Sequence, residues 1–237
     1  MPDVSQLGKR DPAEFLRSIA EISKAVMERK LLDDILTLIV QVTARVMDSP
    51  VCSILMLDRK NKELALRAYK SNSGRYSQRT NTPLGKGIAG RVAERNEPIA
   101  VLDVRRDARF LNRKIAQEDG LVSLLSVPMS VEGEVIGVIN CYTSQERRFS
   151  DEEVHLLTAV AGQAAAIIRN TELRIMKEVV ERELGERKVI ERAKELLARR
   201  KGIGGEQAYA LMRRQSMDTR TSMAKIAESI VLASTFD

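Results

Sequence analysis

Residues 150–201 read SDEEVHLLTAVAGQAAAIIRNTELRIMKEVVERELGERKVIERAKELLARRK, and no proline interrupts this run or follows it. Ser150 and Glu153 have the spacing of a capping box, in which a serine and a glutamate three residues later satisfy each other's backbone N–H groups. The acidic first turn also suits the positive end of a helix dipole. We therefore predict one helix from Ser150 to Lys201 that links two parts of the chain.

The composition of this predicted helix changes along its length. From His155 to Ile168 it is mostly apolar, as expected of a helix packed on a core, whereas from Thr171 onward charged residues dominate. The remaining apolar residues form a stripe at spacings of three, four and four, which is the seam of a two-stranded coiled coil: Leu173, Met176, Val180 and Leu184. Gly185 and its charged neighbours interrupt this seam. The alternative is a single solvated helix with i,i+4 charge pairs.

The length of 237 residues fits two ordinary domains, and the hydrophobic content of 43% is enough to build a core. The net charge of +6 is unevenly distributed, because residues 187–225 hold eleven Lys or Arg against four Asp or Glu, a net +7, and the remainder sums to −1. This basic stretch favours a nucleic-acid partner. Two cysteines, no CxxC motif and no long apolar run predict a reduced, cytoplasmic protein without a membrane anchor.

The N-terminal part alternates predicted helices and strands. A polar leader at residues 1–10 precedes a helix that opens at Asp11-Pro12, and a second helix spans Leu31 to Met47. One predicted hairpin pairs Val51–Leu57 with Glu63–Tyr69, and a second pairs Leu121–Met129 with Glu134–Thr143. Between the hairpins we predict a short helix at Ile88–Glu94 and a short strand at Ile99–Leu102. Ser71–Pro83 and Asp103–Asp119 read as loops. Adjacent hairpins predict an α+β fold with an antiparallel sheet.

The segment Gly85–Gly90, GKGIAG, matches the G-x-G-x-x-G pattern of dinucleotide-binding proteins. That fingerprint should follow a buried strand in a βαβ unit, but the preceding residues are polar and end in Pro83. The segment also lacks the GK[ST] sequence of a phosphate loop. We therefore interpret the glycines as a tight turn that leads into the helix from Ile88.

Five short motifs in this part resemble those of GAF domains. They are Gly85–Gly90 (GKGIAG), Pro98–Asp103 (PIAVLD), Val127–Met129 (VPM), Gly137–Asn140 (GVIN) and Phe149–Glu153 (FSDEE). The resemblance covers Leu31 to Asn170 and implies a six-stranded antiparallel sheet between two helical layers, often dimeric. In many GAF domains a pocket holds a small ligand, so the resemblance implies a possible small-molecule effector, but no ligand signature identifies it or its binding residues.

Beyond Leu197 the sequence predicts a small helical bundle. The basic run Arg199–Lys201 followed by Gly202 ends the long helix in the usual order, with cations and then glycine. A helix from Glu206 to Met217 is expected to bury Ala208, Leu211 and Met212. A third helix, capped by Asp218 or Thr219, carries an apolar face of Met223, Ile226, Ala227, Ile230 and Val231.

These helices resemble the ANTAR domain of transcription antiterminators. The resemblance rests on Ile190–Lys194 (IERAK), Glu206–Tyr209 (EQAY), Leu211–Arg213 (LMR) and Ile226-Ala227, although Glu195 and Ser216 replace the family's usual glycine and alanine. It implies a homodimer that binds paired hairpins in nascent mRNA. The predicted domains are a sensor at 11–170, a coiled-coil connector at 171–186 and an RNA-binding domain at 187–237.

Six residues of the basic stretch are candidates for RNA binding. Five can reach phosphates, and Tyr209 is its one aromatic residue able to stack on an unpaired base. The set is Lys194, Tyr209, Arg213, Arg214, Arg220 and Lys225. Each cation has the alternative of a solvated surface charge, and Tyr209 has the alternative of a place in the bundle core.

Two other classes of function remain open. A DNA-binding regulator would read base edges from the third helix, where Arg220 and Lys225 are the cations. A redox enzyme would resemble the GAF-type methionine sulfoxide reductases and would use Cys52 or Cys141, which we expect to be small core residues. The lone His155 gives a histidine triad or a multi-histidine metal site little to build on, so we predict no catalytic and no metal-binding residues.

Overall fold

The computed structural model describes Ala20, residues 32–71 and residues 81–234, which divide into one unit that ends at Glu172 and a second that begins at Leu173. The helix predicted from Asp11 and most of the loop predicted from Ser71 lie outside these residues. In the first unit the elements are α1 (Leu32–Val46), β1 (Val51–Asp58), β2 (Glu63–Lys70), β3 (Thr82–Pro83), α2 (Gly87–Arg95), β4 (Ile99–Val101), α3 (Arg113–Glu118), β5 (Leu124–Val131) and β6 (Glu134–Tyr142). The 51-residue helix α4 (Asp151–Lys201) begins in this unit.

The six strands form one antiparallel sheet in the order β3-β2-β1-β6-β5-β4. Both predicted hairpins are present, β1 with β2 and β5 with β6, and each ladder contains one register shift. The predicted α+β class and antiparallel sheet are therefore confirmed. β1 and β6 lie at the centre and pair with each other, so that residues of both hairpins meet there.

Side chains of β1 alternate between two cores because successive residues of a strand point to opposite faces of the sheet. Cys52 and Ile54 pack in one core with α1 and the start of α4, including Leu157 and Ala161. The apolar residues of β1 that alternate with Cys52 and Ile54 point to the other face of the sheet. There they pack in a second core with α2 and α3. The sheet is therefore covered on both sides, which explains why its strands read as nearly continuous apolar runs.

The two loops predicted between these strands contain short elements. α3 lies within the charged stretch Asp103–Asp119, and β3 pairs with β2 at the end of the stretch that begins at Ser71. Neither has a sequence signal, since α3 is six residues long with one buried side chain, Ala116, and β3 is two residues long. Their positions depend on contacts with distant parts of the chain.

The predicted capping box at the start of α4 is confirmed. The backbone N–H of Glu153 donates to Ser150 Oγ at 3.3 Å, and the backbone N–H of Ser150 donates to Glu153 Oε2 at 3.0 Å. The helix continues through Gly185 to Lys201, and Gly202 follows it with a positive φ of 63°. Within the described residues, no helix is long and apolar enough to span a membrane.

The second unit contains the rest of α4 with α5 (Gly205–Thr219) and α6 (Met223–Ala233). Their shared core is small and consists of Ala193, Met212 and Ala227, with half-buried Ile226 and Ile230 packed against it. The prediction that Leu211 is buried is wrong, because this side chain is 44% exposed. Three short helices do not enclose a second layer of large side chains.

The connection between α5 and α6 also differs from the prediction. α5 continues to Thr219, and Arg220 ends it in the left-handed conformation with φ 51°. The cap of α6 is Ser222, whose Oγ accepts the backbone N–H of Lys225 at 3.4 Å, instead of Asp218 or Thr219. Arg220 therefore lies in the turn before α6 and not on that helix.

Candidate functional site

The segment Gly85–Gly90 forms a closed turn at the start of α2. Gly85 and Gly87 have positive φ angles of 75° and 66°, and the backbone N–H of Gly85 donates to the carbonyl of Gly90 at 2.9 Å. A Cβ on Gly90 would lie 2.3 Å from the carbonyl oxygen of Pro83. These glycines permit a tight turn and a close backbone approach, as the sequence predicted, and the turn follows the two-residue strand β3 instead of a buried strand.

A cavity lies between the sheet and the segment that carries α2 and α3, where Phe110 and Leu111 approach Asn140 and Tyr142. Its volume is about 10 Å³, the space of roughly one water molecule. The rings of Phe110 and Tyr142, both of which line it, meet edge to face with centroids 6.3 Å apart. Binding of a metabolite at this position therefore requires the Phe110 segment to move away from the sheet.

Asn140, which lines this cavity, belongs to a buried set of hydrogen-bonded polar side chains. Ser126 Oγ donates to Asn140 Oδ1 at 2.7 Å, and Asn140 Nδ2 donates to Ser53 Oγ at 3.4 Å, all within the buried face of the sheet. Buried hydrogen-bonding groups of this kind normally fix the orientation of a ligand or rigidify a core. They would meet a polar group on any molecule that displaced Phe110.

The segment before Phe110 is held by two similar ion pairs. Asp103 accepts hydrogen bonds from the backbone N–H and the guanidinium of Arg105, and Asp107 does the same with Arg109. The Arg105 guanidinium lowers the pKa of Asp103 to about 2, and Arg109 lowers the pKa of Asp107. Both clamps therefore stay ionised near neutral pH.

The predicted coiled-coil stripe on α4 is exposed in the single chain. Met176 is 65% exposed and Val180 is 56% exposed, and Leu173 and Leu184 are similarly open. Its exposure leaves the stripe available for the helix pairing that the sequence predicts, which stays a prediction. Leu184 and Ala193 are nine residues, or about two and a half turns, apart. The stripe therefore faces away from the core of the three-helix bundle.

Two of the six predicted RNA-binding residues come together in the second unit. Lys194 of α4 and Tyr209 of α5 line one cleft of about 210 Å³ with Gly205 and Glu206. Tyr209 is 44% exposed, so it does not pack in the bundle core. Lys194 is half-buried and forms an ion pair with Glu191. The cleft thus presents an open aromatic ring beside a cation.

The other four candidates are not among the residues that line this cleft. Arg213 lies one turn after Tyr209 on the same side of α5, whereas Arg214 lies on another side and is 3.8 Å from Asp218. Arg220 occupies the turn between α5 and α6, and Lys225 is exposed in the first turn of α6. Arg213 thus shares a side of α5 with Tyr209, and the RNA-binding roles of all four remain predictions.

A family model for the GAF domain matches residues 30–169, more than half of the sequence. The chain belongs to the GAF domain family. A second model, for the ANTAR domain, matches residues 178–231. The chain is thus a GAF domain followed by an ANTAR domain, and the two resemblances seen in the sequence are confirmed.

Curated relatives share parts of this arrangement. The methyl sulfide methyltransferase-associated sensor of Methanosarcina acetivorans is 26% identical over 175 residues, which are 72% of this chain and 17% of that protein. The transcriptional regulatory protein PdtaR of Mycobacterium tuberculosis is 27% identical over 140 residues, which are 59% of this chain and 57% of that protein. This chain spans about a fifth of the length of its first curated relatives.

Among solved structures, the free methionine-R-sulfoxide reductase of Neisseria meningitidis, crystallised with its substrate, has a TM-score of 0.58 at 18% identity. The match covers 70% of this chain and 96% of that one. At this identity the similarity shows a shared fold alone. The chemistry of that enzyme would require a reactive cysteine thiol in this GAF domain.

The two cysteines lie on the face of the sheet away from the cavity. Cys52 and Cys141 are directly paired neighbours on β1 and β6, with their Sγ atoms 3.8 Å apart, in the core formed with α1 and α4. Both thiols are buried, and the contact with Cys141 together with burial raises the pKa of Cys52 well above its usual range. A buried, protonated thiol is a poor nucleophile.

We therefore expect both cysteines of the folded protein to resist a thiol-specific chromogenic disulfide reagent. Labelling should be slow under native conditions and should reach two thiols per chain after unfolding in guanidinium, because the reagent needs an exposed thiolate. A Cys52→Ala/Cys141→Ala chain is the blank. Rapid labelling of either thiol in the folded protein would contradict the burial described here and would favour the redox enzyme.

Sequence reasoning missed two features of these sites. The hydrogen-bonded set of Ser53, Ser126 and Asn140 comes from three strands, and a single small polar residue in a strand gives no pattern. The second is an open apolar groove in the three-helix bundle, which Arg199 and Ile230 help to line. The sequence predicted Arg199 at the end of a helix and Ile230 in a closed core.

Proposed function

We propose that this protein is a cytoplasmic, signal-responsive regulator of transcription antitermination. It acts as a homodimer, and its ANTAR domain binds hairpins in nascent mRNA under the control of its GAF domain. It needs no catalytic residue for this activity. The observation that carries the proposal is the cleft in which the open ring of Tyr209 lies beside Lys194, within a stretch whose net charge is +7.

The chemistry of this cleft suits unpaired bases better than a duplex. Single-stranded loops present bases that stack on exposed aromatic rings, and cations beside the ring neutralise the adjacent phosphates. Arg213, one helical turn beyond Tyr209, extends the cationic side of the cleft along α5. An RNA hairpin has an unpaired loop next to a charged stem, which matches an aromatic ring next to cations.

The test is RNA binding by a chain that carries Arg213→Ala and Arg220→Ala. We expect weaker binding to a two-hairpin RNA and a plot of log affinity against log salt that is shallower by roughly one to two units, because each lost phosphate contact removes about one released counterion. The control is Lys60→Ala/Arg95→Ala, which removes the same charge from exposed positions of the GAF domain. An unchanged slope with the bundle still helical would refute the assignment.

The signal enters through the GAF domain in this proposal, and the effector is a small molecule with at least one polar group. It would displace Phe110 from the cavity and meet the side chain of Asn140, which accepts a hydrogen bond from Ser126. A ligand shifts such an equilibrium only by its difference in affinity for the two states, typically about 1 to 3 kcal/mol. A thermal-shift screen of metabolites on the whole chain identifies it.

A DNA-binding regulator is the second candidate, and one observation favours it. Arg220–Ser222 connect α5 to α6 in three residues, which is the length of the turn in a helix-turn-helix motif. Against it, Lys225 is the single cation on α6, since Arg220 lies in the turn. Affinities for duplex DNA and for hairpin RNA, measured at one salt concentration, distinguish the two functions.

A further inference from the structure

The three-helix bundle contains a second surface on the opposite flank of α5 from Tyr209. An open groove of about 1030 Å³ lies between the end of α4, α5 and α6. Its floor and walls are aliphatic and comprise Leu196, Leu197, Leu211, Ile226, Ile230 and Ala233. Leu211 and Tyr209 are two residues apart on α5, so their side chains leave the helix about 200° from each other. The groove is therefore distinct from the proposed RNA site.

The rim of this groove is positively charged. Arg199, Arg200 and Lys201 line it at the end of α4. Among the residues that the structure describes, no carboxylate lines the groove, and Glu195, 3.9 Å from Arg199, lies outside it. These cations also offset the negative end of the helix dipole, which amounts to about half a charge. The three cations together outweigh that half charge and the carboxylate of Glu195, so the rim retains a positive field.

We propose that this groove binds an acidic amphipathic helix of another protein. An apolar floor beneath a cationic rim is complementary to a helix with leucine-like anchors on one face and carboxylates beside them. The dimensions also agree. Ile226, Ile230 and Ala233 lie at i, i+4 and i+7 on α6 and span about 10.5 Å, the same length as the i, i+3/i+4, i+7 anchors of a partner helix.

Two other occupants fit the same groove less well. RNA bases stack on aromatic rings, and no aromatic side chain lines the groove within residues 32–71 and 81–234. A second copy of the chain, placed groove to groove on a two-fold axis, would bring two sets of Arg199–Lys201 together, and like charges at an interface are unfavourable. A partner with negative charge and apolar side chains avoids both difficulties.

The test uses the full chain and a labelled peptide of about 18 residues, five turns of helix, with leucines on one face and glutamates elsewhere. A scrambled peptide of the same composition, with leucines on every side, is the control for simple charge attraction. We expect the amphipathic peptide to bind at least tenfold more tightly than the scrambled one, because only it can insert several anchors together. Equal binding of the two peptides would overturn the proposal.

Substitutions then locate the binding site. Leu211→Asp should weaken peptide binding by about tenfold or more while hairpin RNA affinity stays unchanged. Its control is Leu232→Asp, which makes the same change at a side chain 62% exposed on α6 and outside the groove. Peptide binding that survives Leu211→Asp, or that hairpin RNA abolishes by competition, would overturn the proposal.

Two further measurements test whether the groove is occupied by a second copy of the chain or by the chain's own last residues. Loss of self-association by Leu211→Asp in sedimentation would show that a second copy fills the groove and would refute a foreign helix. The second comparison is between the full chain and a chain that ends at Ser234. If only the shorter chain binds the peptide, residues 235–237 occupy the groove, and the proposal of a foreign helix is refuted. Unchanged sedimentation together with binding by the full chain supports the proposal.

Discussion

A chain with Val180→Asp should sediment as a monomer and bind a two-hairpin RNA at least tenfold more weakly than the parent. Val180 is the third residue of the exposed stripe on α4, so pairing of two helices along that stripe would bury the aspartate. A buried, unpaired carboxylate costs several kcal/mol, more than a seam of four apolar contacts per chain withstands.

The loss of RNA affinity follows from the loss of pairing. Two linked domains on two linked hairpins gain affinity through effective concentration, commonly by a factor of about 10² to 10⁴. A single hairpin does not engage both domains, so its affinity for Val180→Asp should equal that for the parent. Comparison of one-hairpin and two-hairpin RNA on the same sample separates a pairing defect from damage to the RNA site.

The control is Val179→Asp, the same change one residue earlier and about 100° around the helix from the stripe. The reverse change, Met176→Leu with Val180→Ile, should strengthen the pairing and make RNA binding less dependent on the GAF domain. If Val180→Asp remains dimeric and binds both RNAs as before, the connector is only a tether, and pairing must reside in the GAF domain.

Gly90→Ala should destabilise the GAF domain by about 3 kcal/mol or more. The added Cβ would lie 2.3 Å from the carbonyl oxygen of Pro83, a backbone atom that cannot rotate away. Overpacking against backbone forces either β3 or the first turn of α2 to move, which typically costs 1 to 3 kcal/mol and sometimes more. For a domain of this size we expect a Tm lower by roughly 6 to 12 °C.

Gly162→Ala is the matched control, because a Cβ at that position meets nothing within 4 Å and lies inside α4. Alanine is favoured over glycine in a helix interior by about 1 kcal/mol, so this variant should be slightly more stable than the parent. Calorimetry of the two variants gives the comparison. Equal melting temperatures would mean that the close approach of Gly90 to Pro83 does not constrain the fold.

The elements with strong local signals were predictable from the sequence. Ser150 and Glu153 identified the start of α4 because a capping box needs only residues three apart, and both hairpins were recognisable as apolar runs joined by short polar turns. α3 and β3 were not predictable, because their residues are ordered by contacts with distant strands. Local pattern fails where a segment of a few residues depends on tertiary contacts.

The candidate RNA site was predictable in composition and not in arrangement. Charge and the single aromatic residue selected Lys194 and Tyr209, but their meeting in one cleft depends on the reversal of the chain after Gly202. Arg220 was placed on α6 because Asp218 and Thr219 are good caps, whereas both of them belong to the end of α5. Leu211 was placed in the core because an apolar residue at helical spacing is usually buried, and a bundle of three short helices leaves it open.

The two-and-a-half-turn separation of Leu184 and Ala193 on α4 has a consequence for the evolution of this protein. Each residue inserted between them would rotate the bundle core by about 100° relative to the stripe, so insertion of two residues would turn the core to the same side of α4 as the stripe. After an insertion of seven or eleven residues, the bundle core lies within about 20° of its original direction relative to the stripe. Lineages that lengthen or shorten this segment should therefore do so in steps of seven or eleven residues.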